Sequence, residues 1–257
     1  MTRTTLICAV ILTLISPALL QAADPDYSQW NRILSAYYDP ARGMDYAALK
    51  ARDAAALQKL RRDLGTVNAG ALSPQERLAY WINVYNINTA ATIIEKYPLK
   101  SIRDLSTDPI VKLNVFKKAR VPSGSGLLSL NDVENDRIRK AYNDPRIHFA
   151  INCAAKSCPP LRKEAYTGAK LDAQLDSQSA AFLTGPLGAT FELKGTTLNA
   201  RVTKITDWFG DDFKAGGGVG AFLRRYVSPA NRDLFEKAKT VRFSYAPYDW
   251  SLNDWKR

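Results

Sequence analysis

The sequence predicts an α+β fold: a helical N-terminal layer packed on a small mixed or antiparallel sheet, in a single domain. Three observations carry this expectation. Apolar residues recur at helical spacing through the early chain. Short apolar runs bounded by Gly, Pro, Asn and Ser mix with short helices after that. Strands and helices do not alternate regularly, which argues against a parallel βαβ sheet.

The elements follow in chain order. Residues 1–23 read as an export leader, with Arg3 as the positive start, "LICAVILTLISPALL" as the apolar stretch and "LQAAD" as a cleavage region near Ala22 or Ala23. The apolar stretch is short and interrupted by Pro17, whereas a membrane span needs roughly 20 apolar residues. Cys8 lies too early to be a lipid-attachment cysteine. Residues 24–257 are then the mature domain, expected to be periplasmic or secreted, with no stable membrane span after cleavage. "DYSQWNRILSAYY" and "DYAALKARDAAALQKLRRDLG" read as helices, the second stopped by Gly65. "SPQERLAYWINVYNINTAATIIEKYP" is the clearest helix: Ser73 caps it, Pro74 takes the first turn, Glu76 completes a capping box and Pro98 ends it. It is apolar around most of its circumference and should be buried. "VFKKARVPSGSGLLSL" reads as a strand and a turn, and "SLNDVENDRIRKAY" as a short helix capped by Ser129 or Asn131. "RIHFAINC" has the composition of a buried strand. A helix over "AKLDAQLDSQSAAFLTG" stops at Gly185, and "TFELKGTTLNARV" is a hairpin turning at Lys194-Gly195. Helical pieces flank a joint at Gly216 to Gly218, and "TVRFSYAPYDWSLND" closes the chain as a strand and an aromatic tail that plugs the core.

Hydrophobic content of 46% supports a real core, and a net charge of +11 suggests an anionic substrate or partner. The basic runs "KLRR", "KKAR" and "LRRY" are short and not interleaved with aromatics, so no nucleic-acid partner is expected. Oligomeric state is not legible.

The chemistry concentrates in "RIHFAINCAAKSCPPLR", residues 146–162, which holds the only histidine and two of the three cysteines. On a strand, His148, Ala150 and Asn152 share one face and Cys153 points to the other. Cys158 lies past the turn "AAKS" and folds back, which favours Cys158 as partner of His148. An imidazole takes the thiol proton, and the thiolate is the nucleophile. Glu134, on the preceding short helix, is the candidate to orient the imidazole, with Asp132 and Asp136 competing. Asn83 and Asn86 face the same way on the buried helix, and either tie down loop backbone or line a polar pocket. Arg146 and Arg162 bracket the segment as candidate anion contacts or structural ion pairs. CxxxxC with one His supplies three possible metal ligands, and a fourth would have to come from a carboxylate; the spacing is not that of common zinc sites, so no metal and no cofactor are expected.

Five stretches together resemble one family, the domain-of-unknown-function family 547: "AYWINVYN", "LNDVENDRIR", "DPRIHFAINCAAKSCPPLR", "DWFGDDF" and "YDWSLND", spanning about residues 70–254. The resemblance implies that Asn83, Asn86, Glu134, His148, Cys158 and Pro159 occupy hallmark positions. One departure is Asn135, where the family often has His after the helix glutamate. A mechanism needing two histidines is therefore not expected. Two functional expectations follow. The first is a thiol-dependent hydrolase or acyltransferase, with Cys158 as nucleophile, His148 as base and Glu134 as orienting group. The second is a non-catalytic envelope-binding domain in which a Cys153–Cys158 disulfide staples the loop.

Overall fold

The computed structural model describes residues 24–106, 115–124 and 126–255. The export leader lies outside the described residues. Helix α1 (Ser28–Tyr37) buries Trp30, Ile33, Leu34 and Tyr37, the stripe its spacing dictates. A two-residue ladder, β1 (Tyr38–Asp39) with β2 (Gly43–Met44), leads into α2 (Tyr46–Gly65), where Asp45 caps by accepting from the Ala48 amide. Helix α3 (Pro74–Lys96) is buried continuously from Leu78 to Ile94, as its apolar circumference requires. Ser73 caps it, but the capping box does not close. The Glu76 carboxylate instead accepts from the Gly168 amide and, at 3.2 Å, from the Tyr27 hydroxyl, tying two distant segments to the start of α3.

A short hairpin, β3 (Val121–Ser123) with β4 (Gly126–Leu128), precedes α4 (Leu130–Asp132). Ser129 and Asp132 form the capping box at its start. The expected ordinary helix then widens into a π-helix over Val133–Arg139, closed by α5 (Lys140–Tyr142). "RIHFAINC" is not a strand. Asp144 accepts from the Arg146 amide, Pro145 supplies a helical φ, and the chain winds into a 3-10 helix over Pro145–Phe149. Local capping therefore overrides the apolar run. Side-chain alternation no longer holds, and residues 150–158 form an irregular loop with Ala154 at φ +63°.

Helix α6 (Leu171–Thr184) stops at Gly185 as expected. The sheet is mixed. Strands β5 (Ala189–Lys194) and β6 (Thr197–Val202) form the predicted hairpin, and Gly195 accommodates φ +59° in its turn. After α7 (Ile205–Trp208), α8 (Gly218–Tyr226) and α9 (Pro229–Lys237), strand β7 (Thr240–Tyr245) returns parallel to β6. The molecule is a single α+β domain with two apolar clusters: one around α1–α3, the other between the sheet and helices α6, α8 and α9. The segment after Pro145 runs along their seam. Ile147, Ala150 and Ile151 bury in the first cluster, and Phe149 in the second. Among the described residues no helix is long and apolar enough to cross a membrane.

Candidate functional site

A cavity of about 580 Å³ opens at this seam. The π-helix delivers Glu134 and Asn135 to its wall, the 3-10 helix delivers His148, the loop delivers Cys153 and Cys158, and the C-terminal half supplies Trp208, Phe209, Tyr248 and Trp250. π-Helical stretches are rare and recur at functional sites. Here the wider turn sets Glu134 within electrostatic reach of Arg139, five residues on.

The loop is held by amides. Asn86 donates to the Ala150 carbonyl at 3.0 Å and accepts from the Asn152 amide at 2.8 Å. Asn152 donates to the Pro159 carbonyl at 2.6 Å and accepts from the Ala154 amide at 2.9 Å. Asn83 makes the same two-sided clamp on the backbone of Tyr166. Asn83 and Asn86 thus take the loop-tying role, and neither lines the cavity. The tail clamps the loop from outside. Lys156 donates to the Ser251 carbonyl at 2.8 Å, Ser157 to the Asp249 carbonyl at 3.2 Å, and Asn253 to the Ala154 carbonyl at 3.0 Å. The tail also lies on β2: a Cβ on Gly43 would sit 2.0 Å from the Asn253 carbonyl oxygen, so only glycine fits there. This is the predicted plug, and it brings Tyr248 onto the cysteines.

Cys153 and Cys158 are free thiols. Their sulfurs lie 2.8 Å apart, beyond the roughly 2.05 Å of a disulfide, so the expected staple is corrected to a contact between two thiols. The two differ. Cys158 is buried; Cys153 retains exposure. Burial pushes the Cys153 thiol up, but hydrogen bonds with the Cys158 thiol and the Tyr248 hydroxyl, together with one from the Ala155 amide, outweigh it and hold Cys153 below an ordinary thiol. The Tyr248 oxygen is 3.1 Å from its sulfur. Burial and the neighbouring Cys153 drive Cys158 the other way, well above an ordinary thiol. Cys153 is therefore the more acidic sulfur, where the sequence had favoured Cys158.

Glu134 retains partial exposure in the cavity wall. Burial raises its carboxyl to about 7, with Asp212 adding to the rise while Arg139 and the Tyr85 hydroxyl oppose it. Its charge also opposes ionisation of Cys153. Asp132 is spent on the Ser129 cap and Asp136 on Lys140, so neither competes for its place.

His148 does not take Glu134 as partner. Its Nε2 lies 2.7 Å from Asp212 Oδ2. Asp212 also accepts two bonds from Arg139, at 2.7 and 2.9 Å. The imidazole stacks on Phe209 with centroids 4.2 Å apart, and the Arg139 guanidinium lies over the same ring at 4.6 Å. Burial lowers His148, so it is the neutral donor to Asp212; the hydrogen bond from His148 and those from Arg139 hold Asp212 well below an ordinary carboxyl. Among the described residues no hydrogen bond joins His148 to either sulfur. Asp212 was missed from the sequence although its motif, "DWFGDDF", had been singled out; the signal was a charged pair inside an aromatic run. Arg162 is bonded to Gln174, Ser177 and Glu164, and Arg146 to Asp144, Asp172 and Asp176. Both stand outside the cavity as structural ion pairs. Among the described residues no cluster of three or more His, Cys, Asp and Glu is arranged to hold a metal ion.

Fold and site together define an α+β domain with a dithiol and a neutral-range carboxyl facing one cavity. Residues 70–183 match the family model described as protein of unknown function, DUF547, which supports the resemblance drawn from the sequence. The matched span holds Glu134, His148 and both thiols; Asp212, Trp208, Tyr248 and Trp250 lie beyond it. No curated protein and no solved structure matches the chain.

Proposed function

We propose that the protein is a thiol-dependent acyl-transfer enzyme, a hydrolase or acyltransferase, with Cys153 as nucleophile and Glu134 as general acid–base. The supporting observation is convergence: the Cys153 thiol is lowered, the Glu134 carboxyl is raised to about 7, and both face one cavity. A lowered thiol and a raised carboxyl bring the two proton affinities toward one another, which eases transfer in both directions. The Cys153 proton passes to the Glu134 carboxylate, and the thiolate attacks the acyl carbon to form a C–S bond. The bond to the leaving oxygen or nitrogen breaks, and Glu134 returns the proton to it. Water or another nucleophile then gives its proton to Glu134 and takes the acyl group from sulfur, which regains the proton. Cys158 and Tyr248 hold the thiolate by donating to it. His148, fixed by Asp212, builds the cavity wall. The leader read from residues 1–23 supports placing this chemistry in a periplasmic or secreted protein.

The test is pH-resolved alkylation of each cysteine by mass spectrometry in the wild type, Cys153→Ser, Cys158→Ser and Glu134→Gln. Cys153 should react first and well below the ordinary thiol value of about 8.5. Cys158→Ser should raise its apparent pKa, and Glu134→Gln should remove an inflection near pH 7. A faster Cys158, or two thiols with ordinary profiles, overturns the assignment and returns the chain to the class of binding domains.

A further inference from the structure

The cavity is graded from floor to mouth. His148 and Cys158 are buried, whereas Trp208 is 45% exposed and Lys117 stands in solvent. The mouth is aromatic. Tyr248 packs against Trp208 and Trp250 with centroids 4.7 Å apart in both pairs, and Trp208 stacks on Trp250 at 5.9 Å. Two cations rim it, Arg103 and Lys117.

These cations differ from the others near the site. Arg139, Arg146 and Arg162 are all committed to carboxylates. Among the described residues neither Arg103 nor Lys117 has an ion-pair partner. Arg103 is nevertheless held in place. Ser101 and Asp104 cap the 3-10 turn Ile102–Leu105 that carries it. Ser101 donates to the Trp250 carbonyl at 2.7 Å, and Leu252 donates to the Lys100 carbonyl at 2.7 Å. The guanidinium lies 5.3 Å over the Trp250 ring. Stacking uses the face of the guanidinium and leaves its edge N–H donors, the set that matches a carboxylate, open to a ligand.

Resting on the thiol reading above, we infer that the acyl substrate is anionic: a carboxylate-bearing molecule whose charge is held by Arg103 and Lys117, whose apolar body lies against Trp208 and Trp250, and whose acyl carbon reaches Cys153. The grading explains why the charge sits at the mouth. The floor carries Glu134 and the forming thiolate, and a second anion there would be repelled. Held at the rim, the anion meets two cations and keeps its distance from the reacting sulfur.

Two probes of nearly equal size separate charge from shape. 6-(Iodoacetamido)hexanoate and 6-(iodoacetamido)hexanamide both alkylate a thiolate; only the first is anionic, and its charge lies a chain's length from the reacting carbon. The readout is the ratio of their rates at Cys153 within each variant, which cancels any general change in thiol reactivity. A free cysteine should react with the two alike, so a wild-type ratio shifted toward the carboxylate reagent is expected. Arg103→Gln should cut that ratio about tenfold, the worth of a charge-assisted hydrogen bond, and Lys117→Gln about twofold. A second measurement is independent of the thiol: titration of hexanoate against hexanamide, followed by tryptophan fluorescence, in the wild type and Arg103→Gln. Preference for hexanoate that is lost in Arg103→Gln supports the anion site even if Cys153 proves unreactive. A reactive Cys153 whose rate ratio and whose carboxylate preference ignore both cations overturns the anion site and leaves the thiol reading standing.

Discussion

Two corners of one site, one lining the cavity and one behind its wall at His148, each receive a carboxyl and use it differently. At one, Arg139, Asp212 and His148 form a closed network in which each proton has a place: Arg139 donates twice to Asp212, and the neutral imidazole donates once. At the other, Glu134, Cys153, Cys158 and Tyr248 line the cavity together, and among the described residues no Lys or Arg is hydrogen-bonded to them. One π-helix feeds both corners, with Arg139 to the first and Glu134 to the second. The difference lies in what each carboxyl meets. A carboxyl clamped by a guanidinium is a fixed charge; a carboxyl desolvated without one becomes a carrier of protons near neutrality. The first corner builds; the second is the one that the proposal assigns to the reaction.

The largest effect should come from opening the closed corner. Asp212→Asn removes the carboxylate that Arg139 is bonded to and the acceptor of His148. Breaking a partly buried pair by removing one partner should cost about 2–4 kcal/mol, read as a fall in the urea midpoint. Arg139→Met combined with Asp212→Asn should cost less than the two single changes together, because no unpaired charge remains. Loss of stability below about 0.5 kcal/mol in Asp212→Asn would mean the corner is solvated and not structural.

This corner also marks where the sequence stopped being informative. Asp45, Ser73, Ser129, Gly185 and the turn at Gly195 announce their elements because caps and turns are local chemistry, settled within four residues. The buried circumference of α3 follows from the same local logic and places Asn83 and Asn86 inside, but the backbone they tie down, at Tyr166 and Ala150, is chosen by tertiary packing. Glu76 breaks that logic. Its spacing from Ser73 suits a capping box, yet the carboxylate goes to Gly168 and Tyr27, a choice made by tertiary packing. The segment at 146–153 fails for a related reason. Its apolar run fits a strand, but Asp144 and Pro145 start a 3-10 turn first, and the faces assigned to His148 and Cys153 go with the strand. The pairing of His148 with Asp212 spans 64 residues and has no local signature at all.

The second prediction sharpens the contrast through pH. Glu134 is raised in the fold to about 7, above the roughly 4.3 of an unfolded carboxyl. The folded state then holds a proton the unfolded state has lost, so this contribution is fully present below about pH 4.3 and is lost as pH rises toward 7. His148 has the opposite sign. Its folded value is lowered, so the unfolded state binds the proton first, and stability is lost as pH falls below about 6.5. The two contributions oppose each other between those limits. Glu134→Gln should abolish the first and unmask the second: the variant gains on the wild type as pH rises from 4.3 to 7, by roughly 3 kcal/mol at most. Urea unfolding across that range reads it directly. Parallel curves for the two proteins would mean Glu134 titrates as an ordinary carboxyl, and the second corner would lose its acid–base.

The smallest effect tests the donor that sets the thiols apart. Tyr248 reaches Cys153 with its hydroxyl 3.1 Å from the sulfur, while its ring is held by Trp208 and Trp250. The backbone beside it is pinned by the Asp249 amide, which donates to the Ser157 hydroxyl at 2.8 Å. Tyr248→Phe therefore keeps the packing and removes one donor. Loss of a hydrogen bond to the ionised form raises a pKa, here by up to about one unit, because Cys158 and the Ala155 amide still donate. The alkylation profile of Cys153 should move up by that amount, with the urea midpoint set by the Asp212 corner unchanged. A profile that stays put assigns the acidity of Cys153 to Cys158 and the loop amide. A profile that moves down means the phenol accepts from the thiol instead of donating, and the sulfur at the reacting corner is then held as a thiol and not as a thiolate.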